Sequence, residues 1–492
     1  MGFFSFDIWQ VLAWFQHELL LFAGVFFLIG AVDDIAVDGI WLWLKATGKA
    51  ATPRINRSDM AERPLNGPVA VFVPAWSEAS VLADTIRHML TVWRHRDLRL
   101  YVGCYGNDPA TIAAAMQAAS DLCRQADPRD SGGPGGDRLR IVIHDRPGPS
   151  TKADCLNRLH RALRDDERRS GRLFSCVVFH DAEDMVDPAG LALLDEAIAD
   201  GADFAQLPVE PMPQPDSRWL GSHYCEEFAE AHGKAMVVRG ALGAALPAAG
   251  VGCAISRRAL HQLSRKRLDG SPFDATSLTE DYEMGIAVAA MGGESRFVRA
   301  RGEDGRFIAT RAYFPAKLSH AVRQKTRWVH GIALQGWDRI GWNGSLAEIW
   351  MRLRDRRGPL TALVLMAGYV LLCVTALLWA AQSAGAAPAM ALSPVLQWLV
   401  GANLVAFFWR AAWRFGFTAQ THGVIEGLRA LLRIPLTNVI AILAGRRAIF
   451  AYARTLGGRA IEWDKTPHQT HPASIPLKGA GPARADSAQG GP

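Results

Sequence analysis

The sequence predicts an α/β domain carried between membrane-spanning helices. Three observations predict it. Long apolar stretches lie near the start and in the last third, short β-rich runs alternate with helical patterns between them, and acidic residues follow several of those runs. At 492 residues the chain exceeds one ordinary domain. Hydrophobic residues make up 49% and charged residues 21%, so membrane segments cannot be the whole protein. The net charge of +6 suits an anionic membrane surface or a phosphate-bearing ligand and is too mild for nucleic acid. Many of the 16 tryptophans sit in or near the apolar regions, as interfacial belts favour. The seven cysteines (Cys104, Cys123, Cys155, Cys176, Cys225, Cys253 and Cys373) form no CxxC pair. That spacing speaks against a zinc site or a disulfide framework and for buried free thiols in a reducing compartment.

Residues 1–66 read as an anchor and its exit. The apolar run from Ile8 to Val32 is interrupted by Gln16, His17 and Glu18, then unbroken from Leu19. With no small-residue cleavage site, it reads as a retained transmembrane helix; a buried hydrophobic helix is the competing reading. Asp33, Asp34 and Asp38, then Trp41, Trp43, Lys45 and Lys49, predict a short interfacial helix leaving the bilayer.

Residues 67–340 read as a separate α/β domain. Val69–Val73, Leu98–Cys104, Leu139–Ile143 and Cys176–Phe179 are expected as buried parallel strands. Ser80–Trp93 and Ala110–Gln125 are expected as helices, and Ala126–Asp137 as a surface loop. This βαβα order predicts a sheet with helices on both faces.

Residues 341–458 return to the membrane. Pro359–Ala381 and Leu392–Trp409 are spanning candidates, joined by the uncharged Gln382–Ala391. Arg352, Arg354, Arg356 and Arg357 precede the first, Arg410 and Arg414 follow the second, and Lys45, Lys49, Arg54 and Arg57 follow the anchor. All three basic clusters share one side if the N-terminus is outside and the α/β domain is inside. Ile434–Gly445 is apolar but short, bracketed by Arg429, Arg433, Arg446, Arg447 and Arg454. It predicts a basic interfacial helix, with a fourth span as the alternative. Residues 459–492 are expected as a tail, disordered from about Ser474.

Five segments carry candidate chemistry. Val71–Glu78 is a strand ending in a polar turn, where open α/β sheets bind ligands. Asp108, after the second strand, can hold a base or ribose, or cap the helix that follows. Cys176–Phe179 runs into His180-Asp181-Ala182-Glu183-Asp184. Several carboxylates at an apolar strand end suit a divalent cation bridging a diphosphate, against the alternative of a solvated acidic turn. Thr279–Glu283 precedes a helical Gly285–Met291 and offers a general base or an acidic helix start. Gln324–Trp328, after a helix-like Ala316–Val322, offers cations for a leaving diphosphate and a flat ring for a sugar. Alone it reads equally as a basic juxtamembrane helix.

In this order the set resembles the processive branch of glycosyltransferase family 2. The matching residues are Pro74–Glu78, Asp108, Asp181–Glu183, Thr279–Asp281 and Gln324–Trp328, with Gly331 extending the last motif to QxxRWxxG. Ser150–Asn157 is similar to that family's GKADALN segment. The resemblance covers roughly Gly67 to Trp337. Glu227–His232, Ala249–Arg257, His180–Asp184 and Trp463–His468 resemble a narrower phage-adsorption protein B group, inner-membrane transferases linked to surface polysaccharide. Some of that group carry a C-terminal domain sensing a cyclic dinucleotide; too few residues follow Trp463 here to hold one, so such regulation is not expected.

The resemblance implies a GT-A type nucleotide-sugar-binding domain with a mixed, mostly parallel sheet. It implies inverting hexosyl transfer from a nucleotide sugar, usually a UDP-sugar, to a glycan or lipid-linked acceptor, with Mg2+ or Mn2+. Donor contacts are implied for Pro74, Glu78, Asp108, Lys152, Asp181, Gln324 and Arg327. Metal ligation is implied for Asp181 and Glu183, catalysis for Asp281, Glu280 and Arg327, and acceptor binding for Trp328. An envelope export partner is compatible with it. The alternatives are a catalytically dead scaffold or single-sugar transfer to a lipid carrier. Two positions depart from the pattern: Glu183 stands where an Asp is usual, and Asp108 lacks an acidic neighbour.

Overall fold

Seven strands build one sheet: β1 (Val69–Pro74), β2 (Leu98–Tyr105), β3 (Leu139–His144), β4 (Cys176–Phe179), β5 (Phe204–Gln206), β7 (Cys253–Ser256) and β8 (Ser295–Phe297). β6 (Val209–Pro211) and β9 (Thr310–Ala312) pair in parallel as a second, small sheet. The computed structural model describes residues 8–125, 138–215, 217–387, 391–458 and 471–474. The expected loop Ala126–Asp137, the Trp463–His468 segment and the tail beyond Ser474 lie outside them.

The strand order is β3-β2-β1-β4-β7-β5-β8. β1 pairs in parallel with β2 (Val69 opposite Leu98) and with β4 (Val69 opposite Cys176). Only β7 runs against its neighbours, β4 and β5. The strand order therefore switches direction between β1 and β4, and a crevice opens at their carboxyl ends. Alternation explains the core. Val69, Val71 and Val73 pack with Leu82, Ile86, Ala115 and Leu194 on one face. Ala70 and Phe72 pack with Leu156, Leu159, Leu260 and Met284 on the other. A strand buried on both faces reads as a continuous apolar run, as β1 does.

Four helices among the described residues are long and apolar enough to cross a membrane: Ile8–Ala46, Gly358–Ser383, Pro394–His422 and Ile434–Leu456. Two of them correct the sequence reading. The anchor does not break after Val32 into a separate interfacial helix; one 39-residue helix continues to Ala46. The apolar segment from Ile434 is not limited to Gly445 but belongs to a 23-residue helix. That helix packs against Gly358–Ser383 and against the helix Leu318–Trp328 of the α/β domain, where Thr326 Oγ1 donates to Ala444 O at 3.5 Å.

The anchor continues because its acidic residues find partners. Arg354 and Arg357 both bond Asp33 and Asp34; Arg357 reaches them at 2.8 and 3.1 Å, and Arg410 reaches Asp34 at 3.1 Å. Asp38, fully buried, takes Lys234 Nζ and Trp409 Nε1, the latter at 2.8 Å. Lys234 also pairs with Glu230 at 2.8 Å. Elsewhere on the same C-terminal helices, Arg433 lies between Glu226 of the domain (2.8 Å) and Glu426 (2.5 Å), and Arg414 adds a bond to Glu226 at 2.9 Å. The Arg433 and Glu226 side chains are both 0% exposed.

Breaking a buried pair from one side leaves an uncompensated charge. Arg433→Ala is therefore expected to cost about 3–5 kcal/mol. Arg168→Ala, which removes an exposed pair with Asp165, is expected to cost less than about 1 kcal/mol. Melting curves of the two variants in the same detergent compare them directly.

Candidate active site

The crevice at the β1/β4 switch is a cleft open to solvent. Pro74, Glu78, Lys152, Asp181, Glu183, Glu280, Asp281, Gln324, Arg327 and Trp328 all line it. Each arrives there for a local reason. Pro74 ends β1, and Glu78 opens the turn that follows, its N–H donating to Thr111 Oγ1 at 3.0 Å. Lys152 begins the helix Lys152–Ser170, which Thr151 caps by accepting from Asp154 N at 3.1 Å. Asp181 and Glu183 stand on the turn leaving β4. Glu280 and Asp281 occupy the first turn of the helix Glu280–Ala290, so the expected helix starts earlier than Gly285 and contains the acidic residues. Gln324, Arg327 and Trp328 lie on Leu318–Trp328, a helix that includes the motif rather than preceding it.

Asp108 is the exception. It does not line the cleft; its carboxylate accepts from Ser77 N at 2.6 Å and Thr111 N at 3.3 Å. Ser77 has φ 55°, an unusual backbone conformation for a residue other than glycine. The structure thus engages Asp108 in holding the turn between Pro74 and Glu78.

Charge is concentrated around Lys152. Its Nζ meets Asp181 Oδ1 at 2.6 Å and donates to Gly250 O at 3.4 Å. Burial works against its charge, but Asp181, Glu280 and Asp281 outweigh burial and hold Lys152 above its ordinary range. Burial, with Asp281 beside it, pushes Glu280 up to about 7. Burial likewise raises Asp281, opposed by Lys152 and Arg327. Tyr282 N–H donates to Asp281 Oδ1 at 2.7 Å and fixes that carboxylate's orientation.

Two glycines permit the crowding. Gly250 has φ +82°, and a Cβ there would collide with Asp281 Oδ2 and lie 3.4 Å from Lys152 Nζ. At Gly331 a Cβ would stand 2.5 Å from Thr279 Oγ1. Gly331 falls in a π-helical stretch, Val329–Gln335, that continues the Trp328 helix. Such widened turns recur at functional sites.

The site also contains residues to which no role follows from the sequence. Phe228, Tyr313 and Phe314 line the cleft beside Trp328. Phe228 and Phe314 stand 5.2 Å apart, and Phe228 and Trp328 6.3 Å. The available signals were the Glu227–His232 run and the aromatic pair Tyr313-Phe314 just after β9. Thr279 Oγ1, Glu280 Oε1 and Gln324 Oε1 are buried without a hydrogen-bond partner in the protein. All three residues line the cleft, and buried unpartnered polar atoms there fit a polar ligand.

Among the described residues, no group of three or more His, Cys, Asp or Glu is placed to hold a metal ion by itself. Asp181 and Glu183 nevertheless supply hard oxygen donors at the cleft. This donor set fits magnesium or manganese completed by substrate phosphate oxygens, since such ions use few carboxylates.

The family model for glycosyltransferase-like family 2 matches residues 66–331. Bacteriophage adsorption protein B of Escherichia coli (strain K12) is 31% identical over 474 residues, covering 90% of this chain. Bacteriophage N4 adsorption protein B of Escherichia coli O157:H7 matches to the same extent. The alignment spans 61% of the length of these curated relatives. Among solved structures, the mannosyltransferase PcManGT from Pyrobaculum calidifontis, in complex with GDP-Man and Mn2+, aligns with TM-score 0.45 and 15% identity, covering 86% of this chain and 98% of that one. Glucosyl-3-phosphoglycerate synthase from Mycobacterium tuberculosis, with Mn2+, UDP and phosphoglyceric acid, aligns with TM-score 0.35 and 15% identity, covering 60% and 86%.

Gly250→Ala tests the crowding. It is expected to fold, at a cost of about 1–2 kcal/mol for the left-handed backbone. Turnover at the cleft is expected to fall about 100-fold, since displacing a reacting group by an ångström costs that much. Circular dichroism and rate measurements on the same preparation check both parts.

Proposed function

Since the chain belongs to glycosyltransferase-like family 2, we propose that its cleft transfers a sugar from a nucleotide-sugar donor to a membrane-associated glycan or lipid-linked acceptor. The observation that carries this reading is the convergence of Lys152, Asp181, Glu183, Asp281, Arg327 and Trp328 on one crevice at the β1/β4 switch. A UDP-sugar is the donor we favour, with Pro74 and Glu78 at the nucleoside end.

Lys152 and Arg327 bring positive charge to a diphosphate that becomes more negative as it departs. Asp181 and Glu183 would hold magnesium or manganese, whose positive charge would further neutralise the diphosphate. Asp281 acts as general base. Its burial raises its proton affinity, and the Tyr282 N–H aims it into the cleft. The acceptor hydroxyl loses its proton to Asp281, and its oxygen bonds to the anomeric carbon as the bond to the diphosphate breaks. One displacement of this kind inverts the anomeric configuration. Glu280, buried beside Asp281, is itself raised to about 7 by burial and by that neighbouring carboxylate. Trp328, with Phe228 and Phe314, offers aromatic faces to the acceptor ring.

The acceptor wall is continuous with the membrane helices through the contact of Thr326 with Ala444. That continuity supports elongation of a surface or secreted polysaccharide at the bilayer. We place the chain in a bacterial inner membrane with the α/β domain on the cytoplasmic side, supported by the basic residues that flank the spans on that side.

The test is nucleotide diphosphate release by the detergent-purified protein, over a panel of nucleotide sugars with magnesium or manganese. One donor should be turned over, and Asp281→Asn should lose about 100-fold or more while still binding that donor. Undiminished release by Asp281→Asn would assign the base elsewhere. No binding of any donor would favour the scaffold reading.

A further inference from the structure

The acidic turn after β4 is held from behind by a row of side chains. Ala182 O accepts from Thr85 Oγ1. Asp184 O lies 3.0 Å from His471 Nε2, and Val186 O lies 3.1 Å from His88 Nε2. Thr85 and His88 are three residues apart on the helix Leu82–Val92 and so share one face. His471 comes from the other end of the chain, 287 positions from Asp184.

His471 is fully buried, and its tautomer is fixed by its neighbours. Ala473 N–H donates to its Nδ1 at 3.1 Å, so Nδ1 carries no hydrogen. Nε2 therefore carries the proton and donates to Asp184 O. The ring also packs against His88, with centroids 5.8 Å apart. On the other side of the same turn, the Asp184 carboxylate accepts from Asp181 N at 3.0 Å and meets His180 Nδ1 at 2.8 Å. The carbonyls of Ala182, Asp184 and Val186 thus each meet a side chain, while Asp181 and Glu183 reach the cleft.

We infer that His471 is a positioning residue for the turn bearing Asp181 and Glu183, so that a segment beyond the helix Ile434–Leu456 sets the geometry of the diphosphate end of the cleft. The inference rests on the transferase reading. Its physical content is simple. Without the Nε2–H, the buried Asp184 carbonyl loses its donor and the ring's support of His88 is lost. Residues that orient ligating carboxylates from behind typically change metal affinity by about 10- to 100-fold when removed.

Two measurements on the full chain in detergent test it. The first is hydrogen–deuterium exchange over residues 180–187 without ligand. The second is calorimetric binding of Mn2+ together with uridine or guanosine diphosphate, whichever binds the unaltered protein. In His471→Ala, exchange should rise within 180–187, and affinity should fall about tenfold, with the melting temperature of the whole protein nearly unchanged. His471→Gln, whose amide can donate from a similar reach, should recover most of the affinity. Unchanged exchange, or faster exchange with unchanged affinity, would overturn the inference. So would global unfolding in both variants, because the effect would not be confined to the turn. If the unaltered protein binds neither nucleotide, the transferase reading falls and this role for His471 with it; the exchange measurement then still separates a structural strap from none.

Discussion

The arrangement depends on opposite charges meeting where the membrane helices join the α/β domain. Asp33, Asp34 and Asp38 lie on the anchor, Arg354 and Arg357 precede the second spanning candidate, Arg410 lies on the third, and Lys234 and Glu230 come from the domain. Each of these groups would be costly to leave unpaired away from water. Together they constrain three helices and one domain to a narrow set of relative positions. Hydrophobic contact alone, being non-directional, would not do so.

This explains why the sheet and the cleft were legible in the sequence while the joints were not. β1 and β4 are written in continuous apolar runs, because a sheet covered on both faces demands them, whereas β3, expected to be buried, is a half-buried edge strand with Ile143 exposed. Pro74, Lys152, Asp181, Glu183, Asp281, Arg327 and Trp328 belong to motifs whose order alone brought them under consideration together. The anchor was misread at Asp33, where three acidic residues suggest an exit into water. Their partners are more than 190 positions away, at Lys234 and beyond, and no local pattern announces them. The helix from Ile434 was cut short for the related reason that Arg446 and Arg447 look like an end.

The interior of the cleft shows the same limit at smaller scale. Asp108 carries a carboxylate in a family position, but it accepts from Ser77 N in the turn after β1 and from Thr111 N at the start of the helix Pro109–Gln125, which it caps. Gly250 was visible as part of a recurring segment. Its purpose, leaving room for Asp281 against Lys152, depends on a backbone angle and a packing distance that composition does not encode. Phe228, Phe314 and Trp328 come from three separate elements, and only the fold gathers them.

The helix Ile434–Leu456 touches both the spanning candidate Gly358–Ser383 and the helix that presents Trp328. A helix in a bilayer adjusts its tilt when the hydrocarbon thickness changes. Any such adjustment here moves Ala444 against Thr326, two residues before Trp328. In a bilayer, the thickness of the lipid would thereby act on the wall of the cleft through helix contacts alone.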